Sequence, residues 1–223
     1  MFIARYMTAP AQTISPDALL TEAQELMRSG KFRHLPVVDE EGKLAGIITD
    51  RDLRSATPTE IMDEEEKSAY LKRFARITVQ AIMTEAVSTL PLEATLDDAL
   101  LLFDRARVGA LPVIGKGHKV VGILSVRDLL TAYRQLFGLG EKGSSLIGIA
   151  DDGDSAVLTK LTGVLEAGRI PFTRMIRTGE LGGTGALIYV RVHTHNLNGV
   201  NNLLAGAGFK TVAPGIERSS EHA

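Results

Sequence analysis

The stretch MTAPAQTISPDALLTEAQELMRSGKFRHLPVVDEEGKLAGIITDRDLRSA, residues 7–56, recurs without a gap as MTEAVSTLPLEATLDDALLLFDRARVGALPVIGKGHKVVGILSVRDLLTA, residues 83–132. Roughly a third of the paired positions are identical, among them Met-Thr, Leu-Pro-Val, Gly-Ile and Arg-Asp-Leu. An ungapped duplication of this length predicts two copies of one supersecondary unit packed together, with a ligand site at their junction.

Each copy reads β-α-β-β-α. In the first, Gln12 to Ile14 is extended and Ser15-Pro16-Asp17 turns into a helix with apolar positions Leu19, Ala23, Leu26 and Met27. Gly30 ends that helix. Leu35 to Val38 and Leu44 to Ile48 are strands joined by the turn Asp39-Glu40-Glu41-Gly42, and Thr49 opens a second helix. In the second copy Thr95 caps the first helix, Leu111 to Ile114 and Val120 to Leu124 are the strands, and Ser125 caps the second helix. Between the copies, Pro58 breaks the preceding helix. The charged run Glu64-Glu65-Glu66-Lys67 with Lys72 and Arg73, and the apolar Tyr70, Leu71 and Phe74, then predict a solvated linker helix with one docking face.

Bulk properties narrow the function. The chain has 223 residues, 44% of them apolar, enough for one large domain or two smaller ones. No run approaches the ~18 apolar residues of a membrane helix, and the N-terminus lacks the apolar stretch of a signal peptide. Without cysteine there are no disulfides or thiolate metal sites, which fits a reducing, cytoplasmic compartment. The net charge is −2 with scattered basic residues and no tryptophan, which argues against nucleic-acid partners.

The sharpest motif is Gly46-Ile47-Ile48-Thr49-Asp50-Arg51-Asp52-Leu53, echoed by Gly122-Ile123-Leu124-Ser125-Val126-Arg127-Asp128-Leu129. Thr49 with Asp52, and Ser125 with Asp128, have the spacing of a helix capping box, a purely structural role. The same pair sets a hydroxyl and a carboxylate beside free backbone amides. The carboxylate can accept from both hydroxyls of a ribose. The amides, the hydroxyl and Arg51 or Arg127 can hold phosphate, while apolar strand residues nearby cover a purine.

This double motif, each copy following an apolar Pro-Val strand, resembles the tandem cystathionine-β-synthase (CBS) repeat, the Bateman module, over residues 1 to about 137. The resemblance implies a mixed α+β fold whose paired repeats form two clefts for adenosine-containing ligands such as AMP, ADP, ATP or S-adenosylmethionine. It carries ribose and phosphate contacts to Thr49, Asp52, Ser125 and Asp128, with Arg51 and Arg127 beside them. Ile14, Leu35, Pro36, Leu111 and Pro112 become adenine-pocket candidates. A basic pair before Leu-Pro, common in members that grip phosphates, is matched by Arg33 and His34 and not by Gly109 and Ala110. The two clefts are therefore expected to be unequal, although these residues do not say which cleft Arg33 serves. The competing reading is a ligand-independent scaffold whose motif residues are only caps.

After the linker Gly138 to Ser144, the chain reads strand (Leu146 to Ala150), helix (Ser155 to Ala167), strand (Phe172 to Arg177), glycine-rich hairpin (Gly179 to Gly185), strand (Ala186 to His193), helix (Leu197 to Ala205) and strand (Phe209 to Val212). This βαββαβ order is ferredoxin-like and resembles an ACT domain. The Pro-Gly turn of amino-acid-binding ACT modules is missing from Asp151-Asp152-Gly153-Asp154-Ser155-Ala156, with Ala156 in the glycine's place. The resemblance thus implies interaction or dimerisation ahead of amino-acid binding. The expected organisation is a first CBS repeat at 1–57, linker helix 58–77, second repeat 78–137, linker 138–144, ACT-like domain 145–213 and tail 214–223. The whole order is similar to the acetoin-utilisation protein B family, which implies a homodimeric, non-catalytic regulator of acetoin or related carbon metabolism acting on a protein target.

Other candidates are weaker. His193-Thr194-His195 offers half a metal site without a third ligand, and the acidic turn at Asp151 lacks the remaining ligands of a calcium loop. Gly179 to Gly185 lacks the Lys-Ser/Thr of a phosphate loop. No nucleophile stands with a base and an orienting group, so neither an enzyme nor a catalytic cofactor or metal is read.

Overall fold

The computed structural model describes residues 1–56, 63, 65, 68, 72–179 and 185–212. They divide into two units, Met1–Tyr133 and Arg134–Ala223.

In the first unit, α1 (Leu20–Gly30) buries Leu20, Ala23 and Met27 along one stripe and ends where Lys31 turns left-handed at φ 55°. Strands β1 (His34–Val38) and β2 (Leu44–Thr49) pair antiparallel. Their turn closes because the Asp39 carboxylate accepts from the amides of Glu41 and Lys43 and Gly42 takes φ 81°. Helix α2 (Asp50–Ser55) follows directly. The second copy repeats this with β3 (Leu90–Pro91), α3 (Leu96–Ala106), β4 (Ala110–Ile114), β5 (Val120–Ser125) and α4 (Val126–Leu136). Arg107 there matches Lys31, with φ 53°. The extended Gln12–Ile14 segment reduces to one parallel bridge from Ile14 to Val37, at the position where β3 pairs with β4.

Each copy is completed by the segment that leads into the other. Ile3 lies in the second core with Leu96, Phe103, Leu111 and Leu124, whereas Phe74 and Val79 lie in the first core with Leu20, Leu35, Ile48 and Leu53. Thr8 exchanges two backbone hydrogen bonds with Ile123, and Thr84 exchanges two with Ile47, all 2.9–3.0 Å. A Cβ on Gly122 would stand 2.8 Å from Met7 Sδ and 3.0 Å from the Thr8 carbonyl oxygen. On Gly46 it would stand 2.7 Å from Met83 Sδ and 2.9 Å from the Thr84 carbonyl oxygen. The recurring Met-Thr and Gly-Ile therefore have one cause: each Met-Thr packs on the Gly-Ile of the other copy, and only glycine admits that approach. The hairpin tips meet at a bridge between Lys43 and Lys119.

Helix starts differ between the copies. Thr95 caps α3 through a reciprocal box with Asp98, but its counterpart Leu19 has no capping side chain. Both helices still satisfy their first amide, Leu20 N–H on the Ile77 carbonyl and Leu96 N–H on the Met1 carbonyl. Of the linker helix, Phe74 is 3% exposed and docks on the first core. Its other expected features at Pro58, Glu64, Glu66, Lys67, Tyr70 and Leu71 lie outside the described residues.

The second unit contains β6 (Ser144–Ala150), α5 (Val157–Ala167), β7 (Phe172–Arg177), β8 (Leu187–His193), α6 (Leu197–Gly206) and β9 (Thr211–Val212). Its antiparallel sheet has the order β7-β8-β6-β9. Ile149, Ile188, Val190 and Val192 alternate onto the face covered by Leu161, Leu165, Val200 and Leu204 of the helices. Arg191, 6% exposed, donates to the Phe137 carbonyl and to Ser144 Oγ, and Arg174 donates to the carbonyls of Gln135 and Leu136. The hairpin at 180–184 and the tail from 213 lie outside the described residues.

Candidate functional site

A cleft of about 720 Å³ lies between the two copies, within the usual ~300–1,000 Å³ of small-ligand sites. The bend from α1 into β1 builds one wall. The Phe32 ring lies against Gly30, where a Cβ would stand 2.1 Å from the ring, so that Arg33 and His34 follow at the strand's start. The Arg33 carbonyl accepts from Asp50 N–H at 3.0 Å, which ties this bend to the start of α2. The opposite wall is the start of α4, with Ser125, Arg127 and Asp128.

Ser125 N–H and Oγ donate to Asp128 Oδ2 at 2.9 and 2.6 Å, and Asp128 N–H donates back to Ser125 Oγ at 3.2 Å. Thr49 and Asp52 match them at 2.8, 2.7 and 3.3 Å. The structural capping role is thus realised in both copies. In each, the bonds fall on Oδ2, which leaves the Oδ1 lone pairs of Asp52 and Asp128 to accept from another donor.

Of the residues singled out from sequence, Arg33, His34, Ser125, Arg127 and Asp128 line this cleft together. Thr49, Arg51 and Asp52 do not line it; they hold the corresponding place on the first copy, where His34 pairs in register with Thr49. Arg33 thus lines the cleft that carries the opposite copy's motif. Ile14, Leu35, Pro36, Leu111 and Pro112 are all buried and line no part of it. Strand alternation explains two of them: Leu35 and Leu111, both fully buried, point into the hydrophobic cores. Thr8, Gln12, Phe32 and Ile123 also line the cleft and were not singled out. The recurrence of Met-Thr in both copies was the available sign for Thr8.

His34 reaches across to the second copy. A Cβ on Gly109 would lie 2.7 Å from His34 Nε2, so the glycine makes room for the imidazole. Burial and the neighbouring Arg33 guanidinium hold the His34 imidazole below its ordinary pKa, against the opposing pull of Asp52 and Asp50. An anion in the cleft would oppose both lowering effects.

His193 contacts Thr173 Oγ1 and Glu141, and Asp151 and Asp154 pair with Arg177 and Lys160. Among the described residues no group of three or more His, Asp or Glu is disposed to hold a metal ion, and no helix is long and apolar enough to cross a membrane.

The family model of the CBS domain matches residues 3–58 and 79–135, just over half of the chain. A CBS domain-containing protein of Dictyostelium discoideum is 32% identical over 130 residues, covering 58% of this chain and 89% of that protein. Inosine-5'-monophosphate dehydrogenase of Aquifex aeolicus is 31% identical over 157 residues, but these are 70% of this chain and only 29% of the enzyme. Among solved structures, CBSX2 in complex with AMP has 25% identity and a TM-score of 0.51, covering 61% of this chain and 98% of that one. The CBS domain pair of protein MJ0100, in complex with 5'-methylthioadenosine and S-adenosyl-L-methionine, has 26% identity and a TM-score of 0.50 over 60% of this chain and 99% of that one. A putative acetoin utilization protein from Vibrio cholerae has 27% identity and a TM-score of 0.52 over 64% and 96%.

Proposed function

The chain belongs to the CBS-domain family, and on that premise we propose that it is a non-catalytic regulator that binds an adenosyl ligand in the cleft between its repeats. One observation carries the reading: the cleft joins Arg33 and His34 of one copy to Ser125, Arg127 and Asp128 of the other. The Asp128 Oδ1 atom accepts from the ribose hydroxyls. Arg33, His34 and Arg127 face the phosphate, aided by the Ser125 end of α4. Phe32, Ala110 and Ile123 cover the purine, in place of Ile14, Leu35, Pro36, Leu111 and Pro112. Thr49, Arg51 and Asp52 form a second, weaker site.

The AMP and S-adenosylmethionine complexes of the structural relatives support this ligand class. The dehydrogenase likeness is consistent with a shared regulatory module, since it covers 29% of that enzyme. We place the protein in the cytoplasm as a homodimer, with its C-terminal unit as an ACT-like interaction module that passes the ligand's effect to a protein target. The likeness to the Vibrio cholerae protein supports a link to acetoin or related carbon metabolism.

A ligand must favour one of two conformations to regulate anything. Thermal denaturation with AMP, ADP, ATP and S-adenosylmethionine tests the binding step. At 100 times its dissociation constant, a true ligand adds about 2.7 kcal/mol of stability. A second reading, the ligand-independent scaffold, is favoured by capping boxes that are complete without a ligand. It wins if none of the four shifts the transition.

A further inference from the structure

A second cavity, of about 440 Å³, opens on the outer side of α1 and α2. Lys31, Phe32 and Arg33 line both cavities, so these three residues form the common wall between them. Beyond that wall the second cavity is lined by Arg28, Asp50 and Arg54, together with Gln24, Met27 and Leu53. Four cationic side chains against one carboxylate make the second cavity positive, and two of them, Lys31 and Arg33, also line the cleft. Arg28 forks onto Glu25 and Arg54 onto Asp50, but the four partners are 75%, 59%, 72% and 38% exposed, and ion pairs this wet exchange readily for a stronger anion.

The duplication supplies an internal control. The positions corresponding to Arg28, Phe32, Arg33, Asp50 and Arg54 are Asp104, Val108, Gly109, Val126 and Leu130. The second copy therefore has the same backbone without the aromatic wall, and of the four cations it keeps only the one at Lys31, as Arg107.

Building on the adenosyl reading, we infer that the ligand is an adenosine nucleotide carrying more than one phosphate, and that its distal phosphates pass Arg33 and Lys31 into the groove of Arg28 and Arg54. The α-phosphate stays between Arg33, His34 and Arg127. The groove makes no contact with the ribose or purine, so it selects for phosphate-chain length and not for the base.

Isothermal titration with AMP, ADP and ATP, at one ionic strength and without divalent cations, tests this in the full chain. ATP is expected to bind about tenfold more tightly than AMP, with ADP between, a difference of about 1.4 kcal/mol. The double substitution Arg28→Gln, Arg54→Gln is expected to bring the ratio close to one with AMP affinity unchanged. Arg28→Glu alone is expected to lower ATP affinity and spare AMP. Equal binding of AMP and ATP by the unaltered chain, a ratio that survives the double substitution, or a parallel loss of AMP and ATP binding would each overturn the inference while leaving the adenosyl reading in place. If neither nucleotide binds, this inference falls, and the adenosyl reading falls with it unless S-adenosylmethionine shifts the thermal transition.

Discussion

Arg33 and His34 stand where the second copy has Gly109 and Ala110, at the same bend between a left-handed helix end and a strand. The two bends hydrogen-bond alike, Asp50 N–H to the Arg33 carbonyl and Val126 N–H to the Gly109 carbonyl. Their side chains are opposite: the first fills space with charge, and the second empties it so that His34 can enter. What duplication preserved is the set of contacts that hold the copies together. What it let drift is the chemistry of the bend facing the cleft, while the hydroxyl, Arg and Asp of the motif beside it are retained in both copies. Between these two bends, symmetry belongs to stability and asymmetry to recognition.

The sharpest way to break this division is to attack the shared part. Gly46→Val and Gly122→Val each push a side chain into backbone that has no freedom to yield, the carbonyls of Thr84 and Thr8. Each is expected to cost about 3 kcal/mol in urea unfolding, at the upper end of overpacking penalties. The two losses should match; a large inequality would mean that the copies are not held by equivalent exchanges.

A second pair of substitutions separates stability from binding. Asp52→Ala and Asp128→Ala remove the N3 carboxylate of equivalent capping boxes and should each lower stability by about 1 kcal/mol. Their effects on AMP binding should diverge. Asp128→Ala is expected to weaken it about 30-fold, the loss of a hydrogen bond to a charged group worth about 2 kcal/mol. Asp52→Ala should change the first binding event by less than about threefold. Equal losses in titration calorimetry would erase the functional difference between the copies.

A third, smaller effect follows from the His34 proton. Burial and Arg33 lower its affinity for a proton, and a bound phosphate restores it, so binding takes up a fraction of a proton. AMP affinity should rise as pH falls through the imidazole range, by less than tenfold per unit, and level off once the free protein is also protonated. The ratio of parent to His34→Gln affinity isolates this rise, because the AMP phosphate, with a second pKa of ~6, titrates in both proteins. Smallest of all is the matching stability effect. A histidine whose folded pKa is depressed contributes stability above the unfolded value of ~6.5, and loses it as pH falls through the folded value. As pH falls from ~6.5 toward the folded value, the urea midpoint should drop more steeply in the parent than in His34→Gln.

Much of this architecture is legible in the chain. The strands and helices of both copies show because period-2 and helical spacing are local signals, and the Thr49–Asp52 and Ser125–Asp128 boxes show because capping needs residues only three apart. The β and α order of residues 144–212 is local in the same way. Pairing between distant segments leaves almost no local trace. That Ile3 serves the second core, or that Thr8 lies on Ile123, is written only as the recurrence of Met-Thr and Gly-Ile. The purine candidates Leu35 and Leu111 stay out of the cleft for a different reason: they sit beside the motif in sequence, but alternation turns them inward. Likewise, nothing local announces that Arg174 and Arg191 take the carbonyls of residues 135–137.

The exchange of leading segments also governs the order in which the protein can be made. Residues 1–8 are made ahead of the rest of both copies, yet Ile3 and Thr8 find their partners only when Phe103 and Ile123 have been synthesised. The first core waits in turn for Phe74 and Val79. The first copy can close once Phe74, Val79 and Thr84 are made, but the edge at Ile3 and Thr8 stays unsatisfied until the second copy is nearly complete. Such long-range closure slows folding and lengthens exposure to aggregation. Removing residues 1–8 would therefore injure the half of the module made last.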